Sequence, residues 1–256
     1  MRRIPIIAFL LLCSCTVKES RSLCPCDLLV KPAQALLSDG WVVVSVVQDG
    51  VAVKQEMLSR EEFEAGECKI TVSRKPATVT VFTGITSMNL LRGRTLDISY
   101  KKECDELFSC SENAELCGDS FECPVSLHKN FARLYLTVLN PVPGSEMSIN
   151  GTVAGYDLLD AAPRQGDFIW ISGETDAAQG CCIRLPRQLD NSLSLQVDFE
   201  GATIRVLPLG ALIAASGYSF ADEDLKDITM TVDMEKSYAK VGVADWNEVE
   251  MPLIDY

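Results

Sequence analysis

The chain has 256 residues, of which 23 are lysine or arginine and 36 are aspartate or glutamate, so its formal net charge is −13. This acidic balance argues against a nucleic-acid partner, because binding to phosphates needs a basic surface. A content of 47% hydrophobic and 23% charged residues is typical of a folded globular chain. The single histidine, His128, excludes metal sites that are built from several histidines.

The N-terminal segment has the pattern of a secretory signal. Two arginines precede the apolar run Ile4–Leu12, which is shorter than the roughly 20 residues that a membrane-spanning helix needs. Residues 12–15 read Leu-Cys-Ser-Cys, which resembles a bacterial lipobox, where the peptide is cut before the second cysteine and its sulfur is acylated. We predict a signal peptide over residues 1–14, lipidation of Cys15 and a lipidated tether over residues 15–26, which anchor the chain in a membrane. An ordinary signal peptide with two chance cysteines is the alternative.

After the tether, short runs of β-branched residues predict strands. Residues 41–47 form such a run, and Asp49-Gly50 before a second valine run predicts a tight hairpin. Residues 77–82 alternate threonine with valine, so one face of that strand is expected to be wet and the other buried. Further strands are predicted at residues 69–72 and 96–100.

Residues 101–125 differ in character, because they are polar, acidic and rich in cysteine. Four cysteines recur every six or seven residues, which predicts a disulfide-stapled loop in an oxidising compartment, with the pairing left open. A four-cysteine zinc site is the alternative, although its usual C-x₂₋₄-C spacing is absent. The loop completes an N-terminal β-sandwich predicted over residues 27–125. The four cysteines are Cys104, Cys110, Cys117 and Cys123.

A second series of strands predicts a C-terminal β-sandwich over residues 126–256. No amphipathic helix longer than about two turns stands out, and only residues 208–217 suggest a short helical turn. Evenly spaced short strands with turn signals between them indicate an all-β protein made of sandwich domains. The strands are predicted at residues 132–139, 147–153, 168–172, 182–185, 193–199, 202–208, 228–232 and 238–243.

The sequence contains no motif for catalysis or cofactor binding. Residues 222–227 hold four carboxylates that could ligate calcium, but they lack the EF-hand spacing, so an acidic turn at a helix N-terminus is favoured. Trp41, Trp170 and Trp246 could stack on sugars, although their apolar contexts favour the core. We predict no enzyme, no metal and no cofactor; a surface glycosidase with paired carboxylates is the enzymatic alternative.

A set of loose patterns extends over most of the chain after the lipobox. The patterns lie at residues 24–28, 130–138, 184–195, 207–210, 217–221, 224–228 and 244–247. Together they resemble the fimbrial anchor lipoproteins of Bacteroidales-type bacteria. Two features depart from that family, namely Phe220, where a tryptophan is frequent, and the cysteine-rich loop.

This resemblance implies two transthyretin-like β-sandwich domains in tandem and no catalytic activity. It also implies a surface lipoprotein, held in the outer membrane by the lipid on Cys15, that anchors a fimbrium and binds its shaft subunits by β-strand addition. Because an open sheet edge is normally a hazard, a dedicated partner strand would account for one. We expect that edge near residues 238–243 and 249–254. The alternative is a lipid-anchored adhesin or carbohydrate-binding subunit at the fimbrial tip.

Overall fold

Strands dominate the structure. The computed structural model describes residues 21–172, 180–235, 238–243 and 249–252. Of these residues, 57% lie in strands and 7% in helices, which confirms the predicted all-β class. The signal segment and Cys15 lie outside the described residues.

The first ten strands build two sheets and contribute to a third. Helix α1 begins after a capping box, in which the Ser59 hydroxyl accepts from the Glu62 N–H and the Glu62 carboxylate accepts from the Ser59 N–H. In chain order the elements are β1 (Pro25–Pro32), β2 (Trp41–Gln48), β3 (Val51–Leu58), α1 (Arg60–Glu64), β4 (Lys69–Ser73), β5 (Pro76–Ile85), β6 (Leu90–Arg92), β7 (Thr95–Asp97), β8 (Phe108–Glu115), β9 (Ser120–Val125) and β10 (His128–Lys129).

These strands form a three-stranded sheet in the order β4-β1-β9 and a five-stranded sheet in the order β10-β8-β5-β2-β3. The predicted hairpin joins β2 to β3. Asp49 and Gly50 have φ values of 52° and 75°, and Gln48 pairs with Val51, as a two-residue turn with two left-handed residues requires.

Strand β5 does not have the solvent-exposed face that its alternating threonines predict. It lies in the middle of the five-stranded sheet, and Thr80 and Thr83 are buried. The Thr80 hydroxyl donates to the Leu159 carbonyl at 2.7 Å, so the chain that follows β12 covers this face. A hydroxyl that finds such a partner can be buried at little cost.

The cysteine-rich stretch is not the predicted loop, because it contains β8 and β9. Cys110 and Ala114 are buried on β8, and Cys123 and Val125 are buried on β9. Cysteine is a small hydrophobic residue in such positions, while the exposed positions between them are largely polar. The sequence does not predict β8 and β9 as strands, because cysteine and alanine occupy inward positions where valine or isoleucine is usual.

The second half contains two further sheets, in the orders β14-β11-β17-β18-β19 and β16-β15-β12-β7-β6, with β13 also paired to β12. Helix α2 confirms the predicted helical turn. The elements are β11 (Phe131–Leu139), β12 (Glu146–Asp157), β13 (Pro163–Ile171), β14 (Cys181–Pro186), β15 (Ser194–Phe199), β16 (Ala202–Leu207), α2 (Leu209–Ala215), β17 (Ile228–Asp233), β18 (Tyr238–Val243) and β19 (Val249–Pro252).

The buried apolar side chains form two clusters. The first includes Leu28 and Phe82, and the second includes Leu134 and Met230. The two halves of the chain share elements, since β7 pairs with β12. Tyr156 of β12 belongs to the first cluster, where its ring centroid lies 5.9 Å from that of Phe82.

Candidate partner-binding edge

The predicted lipidation site, Cys15, lies outside the described residues. The described chain begins with the 3₁₀ turn Arg21–Leu23, and β1 begins at Pro25, within the predicted tether. Among the described residues, no helix is long and apolar enough to cross a membrane. The first residue whose position the structure describes is therefore Arg21, six residues after Cys15.

The structure separates the two segments that were predicted to offer an open sheet edge. Tyr238–Val243 is β18, which pairs with β17 on one side and β19 on the other, so this part of the prediction is wrong. Val249–Pro252 is β19, the outer strand of its sheet within the part of the chain that the structure describes. Residues 253–254 lie outside the described residues.

Pro252 shows which main-chain groups of β19 face outward. Proline has no N–H, so the pair Tyr238↔Pro252 is not one that exchanges two hydrogen bonds. Pairs with and without hydrogen bonds alternate along an antiparallel ladder, and Glu250 lies two residues from Pro252. The N–H and C=O groups of Glu250 therefore point away from β18.

Several other edge strands carry features that oppose strand pairing. Strands β3 and β16 each have a β-bulge, and β3 also has the exposed Lys54. Strand β14 is covered at Arg184, whose carbonyl accepts from the Cys104 N–H at 3.0 Å and whose N–H donates to Glu103 at 2.9 Å. Strand β9 contains Pro124, which lacks an N–H.

Arg187 fixes the segment that follows helix α2. Its Nη1 atom donates to the carbonyls of Phe220 and Asp222, both at 2.6 Å, and Nη2 donates to the Glu223 carbonyl at 2.9 Å. Its Nε atom donates to Asn130 Oδ1 at 2.5 Å. Burial lowers the pKa of this guanidinium, and these acceptors compensate for the lost water.

Replacement of Arg187 by alanine should lower the free energy of unfolding by about 3 kcal/mol, because three carbonyls and the Asn130 side chain lose the charged donor that they share. Urea unfolding followed by circular dichroism measures the change. Arg164, whose partner Asp97 is only partly buried, provides the matched control, and Arg164→Ala should change stability by less than about 1 kcal/mol. Equal effects of the two substitutions would contradict this role of Arg187.

The acidic segment 222–227 is not the predicted helix N-terminus, since no helix is described there. Its carboxylates bind protein groups instead. Asp224 accepts from the Lys129 N–H at 2.6 Å and contacts His128 Nδ1 at 3.2 Å, while Asp227 pairs with Lys129 and accepts from the Arg133 N–H at 2.9 Å. No group of three or more His, Cys, Asp or Glu side chains among the described residues could hold a metal ion.

The tryptophans differ in their surroundings. Trp41 begins β2 and is 47% exposed, so its predicted place in the core is wrong. Trp170 is partly buried against the second cluster, as predicted. Trp246 lies outside the described residues.

A pocket of about 540 Å³, the hollow beside Arg187, is lined partly by Leu189, Tyr218 and Phe220. The rings of Tyr218 and Phe220 are buried, and they pack edge to face with centroids 5.0 Å apart. They stabilise each other and leave little of either ring face for stacking on a sugar.

The predicted disulfide staple is not present. All four of its cysteines are free thiols, and Cys104, Cys110 and Cys123 are buried in the first apolar cluster. Burial raises the pKa of Cys110 to about 12 and that of Cys68 to about 12 as well. These thiols act as small apolar side chains in the core.

Alkylation should separate exposed from buried thiols. At pH 8 a thiol with a pKa of about 12 is ionised to only about one part in 10,000, so Cys68 and Cys110 should resist iodoacetamide in the native protein. The exposed Cys117 should react readily, and all should react after unfolding. Mass spectrometry of the peptides measures this, and buried thiols that stay blocked in unfolded, unreduced protein would instead indicate disulfides.

Comparison with known proteins gives a likeness of fold. No protein-family model matches the chain, and the search of curated proteins finds no significant match. The solved fimbrial anchor protein Mfa2 of Porphyromonas gingivalis is 13% identical, with a TM-score of 0.61 over 87% of this chain and 98% of that one. A candidate polysaccharide-binding protein of Bacteroides thetaiotaomicron is 12% identical, with a TM-score of 0.61 over 91% and 99%.

A candidate adhesin of Bacteroides ovatus is also similar, with 12% identity and a TM-score of 0.59 over 89% of this chain and 94% of that one. These neighbours are described as fimbrial, adhesive or polysaccharide-binding proteins and not as enzymes. At these identities the likeness concerns the fold. It confirms the resemblance seen in the sequence: the chain has the fold of a fimbrial anchor protein and of candidate adhesins from Bacteroidales bacteria.

Proposed function

We propose that this chain is a non-catalytic fimbrial lipoprotein, held in the outer membrane by a lipid on Cys15, that anchors or helps to assemble a fimbrium. It binds fimbrial shaft subunits by β-strand addition. The observation that carries the proposal is the outer strand β19, whose Glu250 main-chain groups face away from the sheet in a fold shared with a fimbrial anchor protein. A strand added there gains main-chain hydrogen bonds, and its alternate side chains determine specificity.

The proposed organisation has a signal peptide at residues 1–14, a tether at 15–26 and two transthyretin-like sandwiches at 27–125 and 126–256. The two apolar clusters support two sandwiches. The elements shared between the halves, such as β7 and β12, would fix the sandwiches against each other.

The second candidate function is a lipid-anchored adhesin or carbohydrate-binding tip subunit. The likeness to a candidate adhesin and to a candidate polysaccharide-binding protein favours it, and the hollow beside Arg187 offers a concave surface. A glycan array and a pull-down with fimbrial subunits from the same cells distinguish the two. The anchor role predicts capture of a shaft subunit and silence on the array, whereas glycan binding without subunit capture would favour the adhesin.

A further inference from the structure

Strand β3 is exposed on both faces, although an antiparallel strand usually buries one. All of its residues from Val51 to Met57 are exposed, with Val51 at 62% and Met57 at 53%. Single exposed apolar side chains are ordinary, but several of them along one edge strand mark a contact surface.

Two neighbouring elements extend this strand into a larger surface. Leu23 and Val53 line one hollow of about 310 Å³ beside β3. On the side of β3 that faces β6 and β7, the Gln55 side-chain amide donates to the Gly93 carbonyl at 2.8 Å. This hydrogen bond joins β3 to the β6–β7 turn. The β3 surface is defined as the exposed apolar residues of these elements, Leu23, Val51, Val53, Met57, Leu90 and Leu91.

Cations border the β3 surface, although the whole chain is acidic. Lys54, Arg92 and Arg94 are exposed, and Glu56 is the only acidic residue of β3. Arg92 lies 3.8 Å and Arg94 3.7 Å from an aspartate carboxylate, in surface pairs that leave both guanidinium groups in contact with water. Apolar side chains with cations at their border suit the boundary between acyl chains and anionic headgroups.

The chain length before the fold limits the distance from the lipid. Arg21 lies six positions after Cys15, and an extended chain spans at most about 3.6 Å per residue, so this distance is at most about 22 Å. Leu23 of the β3 surface follows two residues later. A lipid on Cys15 therefore holds this side of the molecule near the bilayer.

We infer that the β3 surface lies against an anionic lipid membrane, an inference that rests on the proposed acylation of Cys15. A partner strand fits this surface less well, because the β3 bulge and Lys54 oppose strand pairing. The second contact fixes the orientation of the protein on the membrane, which a single flexible attachment leaves free.

Hydrogen exchange of the acylated full-length protein tests this inference. The protein is compared in vesicles of phosphatidylethanolamine and phosphatidylglycerol and in detergent micelles. Amide exchange over residues 51–58 and 90–94 should slow by about fivefold in the vesicles, while exchange over residues 202–207, on the exposed edge strand β16, should stay unchanged. Equal exchange of residues 51–58 in vesicles and micelles would overturn the inference.

Paired substitutions provide the control. Met57→Asp with Leu91→Asp should abolish the protection, whereas Ile204→Asp with Val206→Asp, on a similarly exposed edge, should leave it intact. Protection that survives the first pair, or that needs an added fimbrial subunit in place of lipid, contradicts a lipid contact. The intact mass is read first: a chain without acyl groups overturns both the anchoring proposal and this inference, and an acylated chain without protection overturns this inference alone.

Discussion

Replacement of Cys15 by alanine is expected to move the protein almost completely from the membrane fraction to the soluble fraction. Each buried methylene of an acyl chain contributes about 0.8 kcal/mol, so loss of two or more chains removes the whole anchor. Cells that carry the variant should release fimbriae into the medium. Fractionation and immunoblotting measure both effects.

The lipobox contains its own control. Cys13 lies two residues earlier, within the segment predicted to be removed, so Cys13→Ala should leave fractionation unchanged. Membrane retention of the Cys15→Ala protein at the wild-type level would contradict the lipid step and leave the ordinary signal peptide as the explanation.

The second large effect is expected at β19, the edge proposed above to receive the partner strand. Glu250→Pro removes a main-chain N–H that points away from β18, so the sheet itself should be preserved while an incoming strand loses a donor and meets the proline ring. Binding of the shaft subunit should weaken by about tenfold or more, because a buried carbonyl on the partner is left unpaired. Pull-down of fimbrial subunits measures the loss.

Glu250→Ala keeps the N–H group and should bind like the wild type, which separates the main-chain effect from loss of the side-chain charge. Thermal unfolding of both variants checks that the sheet is intact. Equal capture of shaft subunits by the proline and alanine variants would show that strand addition does not occur at this edge.

The all-β class and the hairpin at Asp49-Gly50 could be predicted because their signals are local. Asp49-Gly50 and Glu200-Gly201 both lie in turns with positive φ between paired strands. A two-residue turn of this kind depends only on the residues within it, so the sequence is sufficient.

The sheet order could not be predicted, because it depends on contacts between distant segments. Strand β1 pairs in parallel with β9, and β11 pairs in parallel with β17, each across about 90 residues. The position of β18 inside its sheet also depends on pairing with distant segments. The prediction of an open edge at residues 238–243 was wrong for this reason.

The cysteine-rich stretch shows a second limit. The regular spacing of its cysteines predicted disulfide bonds. Cys110 and Cys123 instead occupy inward positions of two strands, in place of larger apolar residues. Spacing alone cannot distinguish a thiol that is needed for bonding from one that fills a core position.

Chemical crosslinking in intact cells, followed by purification of this chain and peptide mapping, tests the central claim most directly. The claim is that the protein binds fimbrial subunits and does not catalyse a reaction. It predicts that a fimbrial shaft subunit is the main crosslinked species and that its crosslinks cluster on and beside β19, Val249–Pro252. Recovery of the chain without any fimbrial subunit, from cells whose fimbriae stay attached when the chain is deleted, would contradict it.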